Sequence, residues 1–255
     1  MSLNRDDASN AAGTILPAVT IGRRSADANA RFLTALRERI DYAFQPIVNI
    51  RSGTCYGYEA LLRGAETIGF KTIQQLFDHA YSENLLHKAD MLLREKAIAK
   101  FAQLPRSAES KLFFNLDPRL LESPDYQPNQ TLPIIERHGL DPRSVCFELT
   151  ERHDTSNIAD SMRMLRSYRT QSYLLAIDDF GTGFSGLKLL YDYQPDKVKI
   201  DRFFITGIER DPKKKLFVST IVDLAHVLGI IVVAEGVETE AELITCRDIG
   251  CDLVQ

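Results

Sequence analysis

The chain has 255 residues, 44% of them apolar, and carries 31 Lys and Arg against 35 Asp and Glu for a net charge of −4. Acids and bases are interspersed, so charge offers no case for a nucleic-acid polymer or an anionic membrane as partner. No apolar run approaches the roughly 20 residues that span a bilayer, and the polar stretch 1–30 lacks the basic and apolar blocks of a secretory signal. Cys55, Cys146, Cys246 and Cys251 show no C-x-x-C spacing. They read as packing residues of a domain in the reducing cytoplasm, whether or not a longer protein is attached to a membrane.

Residues 1–28 read as a disordered or vector-derived segment, and 29–255 as one domain of a length that suits a single (β/α)8 barrel. A helix is predicted over about 28–40, with Phe32, Leu33 and Leu36 at helical spacing. Strand runs 42–50 and 55–62 are joined by Arg51-Ser52-Gly53-Thr54, a short hairpin turn that makes the first strand antiparallel. Helices over 73–81 and 86–103 precede a strand over 111–116, stopped by Asp117-Pro118. The second half alternates regularly. Helices over 131–138, 158–169, 185–191, 213–228 and 240–248 are interleaved with strands over 144–149, 173–178, 197–200, 230–234 and 251–255. The pattern is α/β, a modified TIM-type barrel with one antiparallel strand. The last strand reads as unfinished, with a helix expected after it.

Polar residues close the apolar runs. Glu59 follows Tyr-Gly-Tyr, Asn115 follows Lys-Leu-Phe-Phe, and Glu148 follows Val-Cys-Phe. Asp178-Asp179 follows Leu-Leu-Ala-Ile, Lys199 closes a short run, and Glu235 follows Ile-Val-Val-Ala. At one end of successive parallel strands such groups converge on one barrel mouth. Asp178-Asp179 sits where the strand turns into Gly181-Thr182-Gly183, so both carboxylates can approach one place, their repulsion relieved by a divalent cation or a shared proton. Hard oxygen ligands suit Mg²⁺ or Mn²⁺. The five histidines lack paired spacing and read as packing or surface residues. Lys199 either orients a water or neutralises a phosphate, or simply pairs with Asp201. Glu151 either braces a neighbouring loop or belongs to a capping box. From the residues alone, two readings stay open. One is hydrolysis of a phosphodiester by two cations bridged by an aspartate; the other is proton abstraction by Lys199 beside Mg²⁺.

The same stretches resemble the EAL-domain family of cyclic di-GMP phosphodiesterases. The resemblance runs over about 44–255, through Phe44-Gln45-Pro46-Ile47-Val48, Tyr58-Glu59-Ala60-Leu61-Leu62-Arg63, Phe114-Asn115-Leu116 and Glu148-Leu149-Thr150-Glu151. It continues through Asp178-Asp179-Phe180-Gly181-Thr182-Gly183-Phe184-Ser185, Lys199-Ile200-Asp201-Arg202 and Ala234-Glu235-Gly236-Val237-Glu238-Thr239. The resemblance implies hydrolysis of cyclic di-GMP to linear pGpG with two Mg²⁺ or Mn²⁺ ions; Ca²⁺, with its longer bonds and larger ligand number, is expected to support no turnover. By motif match, Glu59, Asn115, Glu148 and Asp178 would hold one ion, and Asp178, Asp179 and Glu235 the second. Lys199 would assist the attacking water, Gln255 would close the site, and Glu151 would hold the loop after Asp178. Gln45, Arg63 and Asp201 would face the dinucleotide. The resemblance also implies a homodimer and fusion to sensory or GGDEF domains. The alternative within the same family is a receptor that binds cyclic di-GMP without cleaving it, and the intact ligand set favours the enzyme.

Overall fold

The computed structural model describes residues 18–127, 129–150, 158–183 and 186–255, with side chains from 27 in the first helix and from 164 in the helix after the fourth strand. The chain runs α1 (Ala18–Arg39), β1 (Asp41–Asn49), β2 (Cys55–Arg63), α2 (Ile73–Ser82), α3 (Leu86–Phe101), β3 (Lys111–Asn115), α4 (Leu132–Arg137) and β4 (Val145–Thr150). It continues with α5 (Ile158–Thr170), β5 (Leu174–Phe180), α6 (Gly186–Tyr193), β6 (Lys197–Ile200), α7 (Arg202–Ile205), α8 (Pro212–Val227), β7 (Ile231–Ala234), α9 (Glu240–Ile249) and β8 (Leu253–Val254). The eight strands close into a barrel in chain order. β1 is antiparallel to both of its neighbours, β2 and β8, and the other pairs are parallel. The hairpin that reverses β1 is held by the Asn49 side chain, whose Oδ1 accepts from the Arg51 and Ser52 N–H groups at 3.0 Å each.

Three features differ from the sequence expectation. α1 begins at Ala18, directly after Pro17, and not near 28; no proline interrupts the helix between Ala18 and Arg39. Residues 1–17 of the segment expected to be disordered lie outside the described residues. β5 does not end at Asp178 but continues to Phe180 through a break in register against β6 between Ile177 and Phe180. α7 is an additional single turn, started by Asp201, whose carboxylate accepts from the Phe203 N–H at 2.8 Å.

Strand alternation stacks the barrel interior in layers. Ile47, Phe113, Cys146, Ala176, Val233 and Leu253 pack together as an apolar floor. Two residues further along the same strands stand Asn115, Glu148, Asp178, Glu235 and Gln255, and Lys199 stands two beyond Lys197. The polar residues that close the apolar runs are therefore the next inward-facing layer at the C-terminal mouth. Larger apolar clusters pack the helices onto the outside of the barrel. Among the described residues no helix is long and apolar enough to cross a membrane.

Candidate metal centre

The strand ends converge as the alternation requires. The Lys199 ammonium stands at the centre, 3.0 Å from Glu59 Oε2, 2.9 Å from Glu148 Oε1, 3.0 Å from Asp178 Oδ1 and 2.7 Å from Glu235 Oε1. Glu59 also accepts from Asn115 Nδ2 at 3.1 Å and from Gln255 Nε2 at 2.6 Å. Lys199 and Glu148 are fully buried, and Glu59 and Asp178 nearly so. The reading of Lys199 as an ion pair with Asp201 does not hold: Asp201 caps α7, and four other carboxylates surround the lysine.

This many carboxylates around one ammonium leaves the site short of positive charge. Burial raises Glu148 well above the ordinary carboxylate value despite the opposing Lys199. Burial likewise pushes Glu235 up to about 8, with Lys199 opposing. Burial acts on Glu59 in the same direction, but Lys199 and the donors Gln255 and Asn115 outweigh it and hold that carboxyl below its ordinary value. For Lys199, burial works against the charge, and the four acids overcome it and hold the ammonium well above the ordinary lysine value. Both Glu148 oxygens and Asp178 Oδ1 are buried without a hydrogen bond. Lys199 lies close enough to Glu148 and Asp178 for charge attraction, yet the geometry is not that of a hydrogen bond. Buried acceptors without donors are what a cation satisfies.

Two groups of carboxylates can do so. Glu59, Glu148 and Asp178 each bring an oxygen within 4.8 Å of the others, and so do Asp178, Asp179 and Glu235, with Asp178 common to both. Asp179 joins the second group through the break in β5. Its φ of +55° is a left-handed conformation, and the two residues Asp178-Asp179 stand where β6 offers only Lys199. Consecutive strand residues otherwise face opposite sides; the bulge brings both carboxylates to one side. The turn that follows is held by Thr182, whose Oγ1 donates to the Asp179 carbonyl at 2.8 Å.

The remaining expected residues fall into separate places. Gln45 pairs in register with Glu59 and is exposed on β1. Arg63 closes β2, where its guanidinium donates to the Leu62 carbonyl at 2.9 Å. Glu151 lies outside the described residues. The histidines of the described residues take packing and surface partners; His87 bonds Gln130 and His226 bonds Asp252. A cavity of about 430 Å³ opens beside the carboxylates, lined by Leu61, Phe77, Asn115, Arg119 and Asp179 among others. Sequence reasoning missed Glu242, a buried carboxylate that accepts three backbone N–H groups near the Glu235 loop. Its signal is the capping box Thr239-x-x-Glu242.

The chain is thus a (β/α)8 barrel with an inverted first strand and, at its C-terminal mouth, two carboxylate groups that could each hold a metal ion. Residues 29–255 match the model of the EAL domain, and the chain belongs to that family. It is similar to the cyclic di-GMP phosphodiesterase RocR of Pseudomonas aeruginosa, 32% identical over 216 residues that cover 83% of this chain and 54% of RocR. Among solved structures it is similar to Klebsiella pneumoniae BlrP1 in its manganese and cyclic di-GMP complex. That match has a TM-score of 0.74 and 31% identity and covers 86% of this chain and 54% of the other. A standalone EAL protein of Vibrio cholerae in its c-di-GMP-bound form matches with a TM-score of 0.70 and 33% identity, covering 85% of this chain and 89% of that one. The chain spans 30%, 54% and 31% of the lengths of three curated relatives it matches.

Proposed function

We propose that this chain hydrolyses cyclic di-GMP to linear pGpG, using two divalent cations at the barrel mouth. The observation that carries this reading is charge balance. Glu59, Glu148, Asp178, Asp179 and Glu235 supply five negative charges when ionised, and Lys199 supplies one positive charge at their centre. Two divalent cations supply the missing four. Such ions act as Lewis acids on the phosphodiester and lower the pKa of water. Glu59, Asn115, Glu148 and Asp178 would hold the first, the Asn115 NH₂ group donating to Glu59 and so leaving its amide oxygen for the ion. Asp178, Asp179 and Glu235 would hold the second. Lys199 would orient the attacking water, whose oxygen bonds phosphorus as the bond to the 3′ oxygen breaks, the proton that the water loses passing to that 3′ oxygen. Gln255 fixes Glu59 from β8. Gln45, Arg63 and Asp201 are assigned to the dinucleotide, for which the neighbouring cavity is of ordinary ligand-site size. Glu151 is assigned to holding the loop after Asp178.

Mg²⁺ and Mn²⁺ suit the reaction, and Ca²⁺ does not. Ca²⁺ takes longer bonds and about six to eight ligands, which loosens the alignment of water and phosphorus. The domain is assigned to the cytoplasm, as a homodimer and as one module of a protein with sensory or GGDEF domains. The test is pGpG formation from cyclic di-GMP in Mg²⁺, Mn²⁺ and Ca²⁺. Turnover is expected in the first two and binding without cleavage in the third. Asp178→Ala is expected to abolish turnover and both cation sites, whereas Asp179→Ala removes mainly the second. A folded protein that binds the dinucleotide in Mn²⁺ and yields no pGpG is a receptor.

A further inference from the structure

The single-turn helix α7 is wedged between the two loops that carry the second carboxylate group. On one side Gly181, at φ +98°, follows Asp178-Asp179-Phe180; a Cβ there would lie 2.5 Å from Phe204 Cε2 and 3.0 Å from Cζ. On the other side Gly236, at φ +69°, follows Glu235; a Cβ there would lie 2.5 Å from Arg202 Cβ and 3.4 Å from Arg202 Cα. Both loops thus press on α7 at separations that admit no side chain. The backbone beneath is tied in the same way. The Asp201 N–H donates to the Phe180 carbonyl at 3.3 Å, and the Glu235 N–H to the Ile200 carbonyl at 3.1 Å.

α7 is also supported from behind. The Phe204 ring stacks on Phe217 of α8 at 4.3 Å, with the planes 17° apart, so it has little room to withdraw from Gly181. Just beyond α7, the Gly207 N–H donates to Glu242 Oε1 at 2.7 Å, and Glu242 Oε2 accepts from the Glu238 and Thr239 N–H groups at 3.0 Å each. One buried carboxylate therefore joins the exit of α7 to the loop that starts at Glu235.

We propose that α7 is a spacer that sets the separation of Asp179 from Glu235, with Phe204 and Arg202 as its two bearing residues. They are positioning residues that act through Gly181 and Gly236, and Glu242 locks the arrangement. The consequence for cation binding rests on the two-ion reading above. Loosening α7 should displace Asp179 and Glu235, which stand at the two loops, while Glu59, Glu148 and Asp178, the last held in register with Thr150 of β4, keep their places.

The experiment has two readouts besides activity. Mn²⁺ titration followed by electron paramagnetic resonance counts and ranks the ions. Amide hydrogen exchange of the metal-free protein reports residues 179–183 and 236–238 directly. In Phe204→Ala the second Mn²⁺ should bind about tenfold more weakly while the first changes by less than about twofold. Phe204→Leu should fall between, and the loop amides should exchange faster. Phe203→Ala, which removes a neighbouring exposed ring, should leave both readouts as in the wild type. Gly236→Ala should reproduce the Phe204→Ala pattern. Gly229→Ala, with a similar φ of +73° and no neighbour within 4 Å, carries the backbone strain alone and should not. Equal weakening of both ions, or unchanged loop exchange in a folded Phe204→Ala protein, overturns the spacer. If the wild type holds only one Mn²⁺, the two-ion reading fails, and the amide exchange alone decides the spacer.

Discussion

Lys197 and Lys199 lie two residues apart on β6, both face the barrel interior and both are buried, yet their surroundings are opposite. Lys199 is met by four carboxylates at 2.7 to 3.0 Å. Lys197 lies in the apolar floor, its ammonium 5.4 Å from the centre of the Tyr56 ring and 5.9 Å from that of Phe113. Among the described residues no carboxylate stands within ion-pair distance of it. A buried charge is costly unless paired, and ring faces compensate an ammonium by only about 1–2 kcal/mol. One strand therefore carries one lysine held by carboxylates and one tolerated by packing. An inward-facing position alone does not decide which.

The comparison is broken most easily at Lys199. Lys199→Met should lower turnover by about 10²- to 10³-fold, the usual cost of removing a preorganised donor from a transition state. Mn²⁺ binding should persist or tighten, because the ammonium competes for the same oxygens. Without metal, the variant leaves the acids facing one another and should lose about 3 kcal/mol of stability. Saturating Mn²⁺ should restore it by binding only the folded state. Urea melts with and without Mn²⁺ read both effects. A metal-free variant as stable as the wild type, with turnover intact, would sink the assignment of Lys199.

Glu242 sharpens the comparison by showing a third way to hold a buried charge, with backbone N–H groups in place of ions or rings. Burial would raise its pKa, but the Gly207, Glu238 and Thr239 N–H groups outweigh that and lower it. A carboxyl whose folded pKa is depressed contributes stability above its unfolded pKa and loses it as pH falls through the folded value. Glu242→Gln should therefore cost about 1–2 kcal/mol near neutral pH. The gap to the wild type should close in acid, below the ordinary glutamate range. Parallel unfolding curves with a constant gap down to acid pH would show that the charge contributes nothing.

Most of the candidate centre is legible in the sequence because two periodicities coincide. A strand repeats every two residues, and each βα unit ends its strand at the same mouth. Glu59, Asn115, Glu148, Lys199 and Glu235 are the polar residues that close apolar runs, and all five stand in the inward layer. The role of Asp179 is less legible, since it depends on a left-handed residue inside β5 that no alternation encodes. α7 is invisible to pattern reading, because Arg202–Ile205 is too short to show a helical period. What Phe204 and Arg202 press against appears only once the two glycine loops are placed in space. Lys197 is legible as inward-facing, being two residues before Lys199, but its aromatic surroundings come from β2 and β3 and depend on the barrel register.

The smallest expected effect is at Lys197. Methionine fills a similar volume without the charge, and exchanging a buried ion for a well-packed apolar group is typically neutral or stabilising. The ring contacts offset part of that gain, so Lys197→Met should change stability by zero to about +1 kcal/mol. Turnover and Mn²⁺ binding should stay as in the wild type, because the floor lies one layer below the carboxylates. A second readout follows from Lys111, whose ammonium pKa is lowered, first by burial and then by repulsion from Lys197. Removing the Lys197 charge should move the Lys111 titration upward, which NMR of the lysine side chains resolves. A marked fall in stability, or a loss of Mn²⁺ binding, would mean that the floor lysine supports the site above it. The two lysines would then belong to one electrostatic unit.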